Sequence, residues 1–162
     1  MLPERNILLI SDDSALGSQC QITFTKGTGP GGQKRNKTSS AVTVSLPGTD
    51  FSAGDCTERS QIRNRTNALR KLRMQIALAI RNTPAEVPRR MDCSISSPEY
   101  PLFAAQLLDV FYESGCDHKV SAEKCGISPS AFLKKLYRDP LLWQHIQKMR
   151  KEQDLPPLSP PK

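Results

Sequence analysis

The sequence predicts an α+β fold in two parts. The first is a small, mostly antiparallel sheet with one long packed helix and a projecting Gly-Gly-Gln loop; an all-α, helix-turn-helix-like part follows. Three observations predict it. Residues 19–25 and 40–46 alternate polar and apolar side chains, the signature of half-buried strands. Residues 57–82 repeat apolar positions at helical spacing. Residues 102–150 then carry several helical patterns beyond a proline-rich stretch.

In chain order, Gln19 to Thr25 is the first expected strand, and residues 26–38 form a loop with glycines at 29, 31 and 32. In the second strand Ala41, Thr43 and Ser45 alternate with Val42, Val44 and Leu46, and Pro47-Gly48 signals a turn. A short third strand is expected over about 50–56. The long helix is expected to begin near Thr57, with Asp55 as its cap and Glu58 at its third position. Ile62, Leu69, Leu72, Ile76 and Ile80 share one face, which should lie on the sheet, with Arg59, Arg63, Arg70 and Arg81 in a strip beside it. The helix should end near Asn82, ahead of Thr83-Pro84.

Pro84, Pro88, Pro98 and Pro101 mark a linker. Beyond it, Ala122 and Gly126 have the spacing of a tight turn between two crossing helices. Ser128 should cap the next helix with Pro129 at its first position, and Phe132, Leu133 and Leu136 on its buried side. Asp139-Pro140 should start a last helix that turns Leu142, His145, Ile146 and Met149 inward. The expected divisions are therefore 1–82, a linker at 83–101, a helical domain at 102–153 and an extended or disordered tail at 154–162.

No apolar run approaches the length needed to cross a bilayer, and Ile7 to Ile10 is too short for a signal-peptide core. Asp12 and Asp13 argue against an organelle transit peptide, so a cytoplasmic protein is expected. The five cysteines are odd in number and form no C-x-x-C pair, which speaks against a disulfide framework or a zinc site. Cys116, His118 and Cys125 lack a fourth ligand at suitable spacing; small buried thiols and a surface histidine account for them. No metal or cofactor is expected.

The net charge is +7, and it is concentrated: residues 26–81 hold eleven Lys or Arg against Asp50, Asp55 and Glu58. Such a segment points to a polyanionic partner, most commonly nucleic acid, although a solvated basic face has the same composition.

The densest signal is Lys26 to Thr38. Its glycines admit backbone conformations closed to other residues and let another backbone come close. A flexible hairpin loop would look similar. A phosphate-cradling loop would instead end in Gly-Lys-Ser/Thr and open a helix, whereas this one leads into a strand. With Gly29-Pro-Gly-Gly-Gln33, Asn36, Ser40-Ala-Val42 and then Glu58-Arg-Ser-Gln-x-x-Asn-Arg-x-x-Ala-Leu-x-x-Leu72, the segment at about 16–82 resembles the catalytic domain of peptide chain release factors.

That resemblance implies a loop that enters the peptidyl transferase centre of the ribosome, with large-subunit rRNA and peptidyl-tRNA as partners. Gly31 and Gly32 would keep side chains out of a crowded RNA cavity. The backbone N–H of Gln33 would stabilise charge developing during ester cleavage, and its amide side chain would admit water. Family members carry a methyl group on this amide, which implies a methyltransferase acting on Gln33. Lys26, Lys34, Arg35, Asn36, Lys37, Arg59 and Arg63 would contact RNA. Ser60, Gln61 and Asn64 would either contact RNA or hold the loop base and helix start together. The chain departs from the family after Val42, where Thr43 replaces an Arg, no His precedes Leu46, and Pro47-Gly-Thr49 stands for Pro-Thr-Gly. The turn after the second strand is therefore not carried over.

Full-length release factors also have a domain that reads the stop codon, and nothing here looks like it. The expected role is codon-independent rescue of stalled ribosomes. The basic tail typical of short rescue hydrolases is poorly matched by Lys148, Arg150, Lys151 and Lys162 against Glu152 and Asp154. The competing reading is a non-catalytic RNA- or DNA-binding module that keeps the same fold. Lys134, Lys135 and Arg138 would suit a phosphate backbone, yet the helical part is not strongly basic, so DNA is not an expected partner.

Overall fold

The computed structural model describes residues 4–26 and 40–162. They form two compact units, Met1–Ile76 and Ala77–Lys162.

The first unit opens with two short helices, α1 (Arg5–Ile10) and α2 (Asp13–Gln19), ahead of the first expected strand. The Asp12 carboxylate accepts from the Ala15 N–H at 2.7 Å and caps α2. Leu8, Leu9 and Leu16 are buried. Three strands follow, β1 (Gln21–Thr25), β2 (Ala41–Ser45) and β3 (Ser52–Asp55), in the antiparallel order β1-β2-β3. Ile22 pairs with Val44 and Phe24 with Val42; Val44 pairs in turn with Ala53. Directly paired residues share a face, so Val42, Val44 and Ala53 form one buried side while Thr43 is exposed.

The long helix α3 spans Gln61–Ala79, beginning later than expected. Asp55 is not its cap. Ser60 is: its carbonyl accepts from Asn64 N–H at 3.0 Å, and its hydroxyl accepts from Arg63 N–H at 3.4 Å. Asp55 sits instead at the end of β3 opposite Val42, where packing against the helix turns its carboxylate into an acceptor for helix side chains. Ala68, Leu69, Leu72 and Ile76 are buried, as the period required, but Ile62 is 79% exposed. Periodicity fixes the direction of a side chain and not how far the covering layer extends. Arg73 is buried and donates to the Asp13 carboxylate and the Ser11 carbonyl, both at 2.7 Å, which ties α3 to the start of α2.

The second unit is all-α after an irregular stretch. Arg81, expected in the basic strip, lies past the end of α3 and pairs with Asp109 at 3.1 Å. Both side chains are largely buried, and a buried cation requires such a partner. The proline-rich segment is fastened at several points: Asn82 N–H donates to Asp109, Ala85 N–H donates to Glu113, and Arg138 donates to the Cys93 carbonyl. Four helices follow, α4 (Tyr100–Glu113), α5 (His118–Lys124), α6 (Pro129–Tyr137) and α7 (Pro140–Glu152). Phe111 stacks on Phe132 with ring centroids 6.5 Å apart, and Leu107, Leu108, Leu136, Leu142 and Ile146 complete the core. The tail, expected to be extended or disordered, has no helix or strand and is held along α7. Gln147 exchanges hydrogen bonds with both backbone groups of Leu158, and Arg150 donates to the Pro156 carbonyl. Long polar side chains on α7 supply the partners that an extended backbone lacks. Among the described residues, no helix is long and apolar enough to cross a membrane.

Candidate functional site

The glycine-rich segment leaves the sheet after Thr25 and returns at Ala41, and these two residues are direct partners in the β1–β2 ladder. Gly31, Gly32, Gln33, Lys34, Arg35, Asn36 and Lys37 lie outside the described residues. What the structure defines is the base of this segment and the start of α3.

Asn64 joins the two. It occupies the first turn of α3 with no solvent exposure. Its Nδ2 donates to the Ser40 carbonyl at 2.6 Å and to the Glu58 carbonyl at 2.8 Å, while its Oδ1 accepts from the Glu58 N–H at 2.9 Å. Three of the four hydrogen-bonding positions of a carboxamide are thereby used. Only one orientation of the amide satisfies two carbonyls and one N–H at once.

The remaining expected residues are placed differently. Ser60 caps α3, while Gln61 is exposed on its first turn. Arg59 and Arg63 are exposed; Arg63 approaches Glu58 at 3.7 Å, a solvent-exposed pair of the kind worth about 0–1 kcal/mol. Lys26 is exposed at the end of β1. The trio Ser60, Gln61 and Asn64, alike in sequence, therefore divides into a cap, a surface group and a buried clamp.

A second polar cluster, which the sequence does not announce, lies beside the first. The Asp55 carboxylate accepts from Lys71 Nζ at 2.6 Å, Thr57 Oγ1 at 2.9 Å and Asn67 Nδ2 at 3.0 Å. Burial pushes this carboxyl up, but the hydrogen bonds from Lys71, Asn67 and Thr57 and the charge of Lys71 outweigh it and hold the pKa at about 2. Lys71 also donates to the Gly54 carbonyl at 3.2 Å, so the end of β3 is bolted to the middle of α3. The available signal was the spacing of Asn64, Asn67 and Lys71 at i, i+3 and i+7, which places three polar groups on one side of the helix.

A three-stranded antiparallel sheet with a glycine-rich connection between β1 and β2, its returning end held to the long helix by a buried amide, defines a class of small α+β domain. Residues 15–97 match the RF-1 domain, and the chain belongs to that family of peptide chain release factor domains. Membership supports a release-factor-type function on the ribosome. No curated protein and no solved structure matches the chain.

Proposed function

We propose that the protein promotes hydrolysis of the peptidyl-tRNA ester in the ribosomal peptidyl transferase centre, independently of a codon, and so releases stalled ribosomes. The observation that carries this reading is the family match over residues 15–97, which contains both Gly31-Gly32-Gln33 and the Glu58 to Leu72 segment. Gln33 would contribute a backbone N–H to the charge developing on the ester oxygen. Gly31 and Gly32 would bring that N–H close to RNA without a Cβ in the way. Lys26, Arg59 and Arg63, exposed at the base of this segment and beside the start of α3, would meet rRNA phosphates together with Lys34, Arg35, Asn36 and Lys37.

No Ser-His-Asp arrangement is needed for this chemistry. The substrate is an activated ester already held by RNA, so positioning and one polar donor account for the catalysis.

The test supplies purified protein to ribosomes holding peptidyl-tRNA on a message with a stop codon, a sense codon or no codon in the decoding site. Release is expected on the truncated message without a stop codon. Replacing Gln33→Pro, which removes the backbone N–H, should slow it by about a hundred- to a thousandfold, the usual cost of losing such a donor. Equal release by the variant would remove Gln33 from the mechanism, and release confined to stop codons would overturn codon independence.

A further inference from the structure

Most of the inward-facing positions of α3 are apolar, as at Ala68, Leu69, Leu72 and Ile76. Asn64 is the exception without any exposure, and an apolar residue there would avoid the cost of burying an amide. Its partners explain its presence. Ser40 is the first described residue after the glycine-rich segment and is itself buried; Glu58 belongs to the turn that leads into α3. Ser40 also adjoins Ala41, which forms the last rung of the β1–β2 ladder with Thr25. The returning end of the segment is thus fixed twice, by the ladder and by the amide.

We infer that Asn64 is a positioning residue for peptide release. It acts through the backbone of Ser40, fixing the point at which the chain rejoins the sheet, and does not itself touch the substrate. The inference rests on the release activity proposed above. Misplacing reacting groups by about 1 Å can cost on the order of a hundredfold in rate, so a clamp on the base of the segment should control the chemical step more than binding. Exposed cations such as Arg59 and Arg63 should have the opposite signature.

The experiment measures single-turnover release on stalled ribosomes as a function of excess full-length protein, for wild type, Asn64→Ala and Asn64→Asp, with Gln33→Pro as the reaction control. For Asn64→Ala the plateau rate should fall between about tenfold and a hundredfold with the half-saturating concentration unchanged. In Asn64→Asp a carboxylate faces two carbonyl oxygens, and protonation restores one donor. Its plateau relative to wild type should therefore climb as pH is lowered, measured at a temperature where both proteins are fully folded across the pH range. If Asn64→Ala does not fold, this pH profile carries the test. An unchanged plateau, or a raised half-saturating concentration with normal plateau, overturns the inference.

If wild type releases nothing, the release reading fails, and hydrogen exchange then judges the clamp alone. Faster exchange over residues 40–45 in Asn64→Ala, with residues 65–79 unaffected, supports it. Identical exchange over 40–45 overturns it.

Discussion

Asp55 carries its charge inside the first unit because three donors reach it before water does. Its folded pKa of about 2 lies below the ordinary value of 3.8. A group depressed in this way stabilises the fold fully above its unfolded value, and the contribution drains as pH falls through the folded one. Urea unfolding of wild type should accordingly show a loss of stability between about pH 4 and pH 2 that Asp55→Asn does not share. Asp55→Asn should also be less stable at neutral pH by about 1.5–3 kcal/mol, the range for hydrogen bonds to a charged group. A variant as stable as wild type across the range would show that Lys71 and Asn67 are not held by this carboxylate. Asn64 differs in kind: it has no charge to titrate, and its importance comes from joining two backbone segments.

Among the elements, several helix ends of the second unit share one device. After α5, Gly126 has φ of +67°, its N–H bonds the Glu123 carbonyl at 3.0 Å, and the Ile127 N–H bonds the Ala122 carbonyl at 3.0 Å. These are the two bonds of a Schellman motif. The same pair recurs after α7, where Asp154 takes the left-handed position with φ of +54° and Leu155 N–H reaches the Arg150 carbonyl at 2.9 Å. A side chain in that conformation is strained where glycine is not. Gly126→Ala should thus destabilise the protein by about 1 kcal/mol, and Asp154→Gly should cost nothing or stabilise it slightly. Thermal unfolding of the two variants checks this, and opposite signs would refute it. The cap of α3 follows the same economy, since Ser60 covers one free N–H while the side chain of Asn64 bonds both backbone groups of Glu58.

At the scale of the molecule the dominant property is charge. The excess of +7 is concentrated in residues 26–81, and of those cations Arg73 and Arg81 are turned inward to Asp13 and Asp109. Lys71 is committed to Asp55. Lys26, Arg59 and Arg63 are left at the surface near the base of the glycine-rich segment. If they meet rRNA phosphates as proposed, ribosome affinity should fall as salt is raised, linearly on a double-logarithmic plot. Replacing Arg59→Ala together with Arg63→Ala should shallow the slope by about 0.7–0.9 for each phosphate no longer neutralised. An unaltered slope would place these two arginines outside the interface.

The strands, the existence of the long helix and the helix starts at Ser128 and Asp139 were legible in the sequence alone. All of these are local: alternation, helical period and capping chemistry are written into neighbouring residues. The roles of Asp55 and Asn64 came from packing, because their partners stand 16 and 24 residues away in the chain. The same holds for Ile62, left uncovered, and for Arg81, drawn inward, since neither pattern nor spacing says where a packed layer ends or which carboxylate waits across it. The two N-terminal helices also escaped the sequence reading; each is too short to show a helical period, and they are fixed by burying Leu8, Leu9 and Leu16 and by the reach of Arg73.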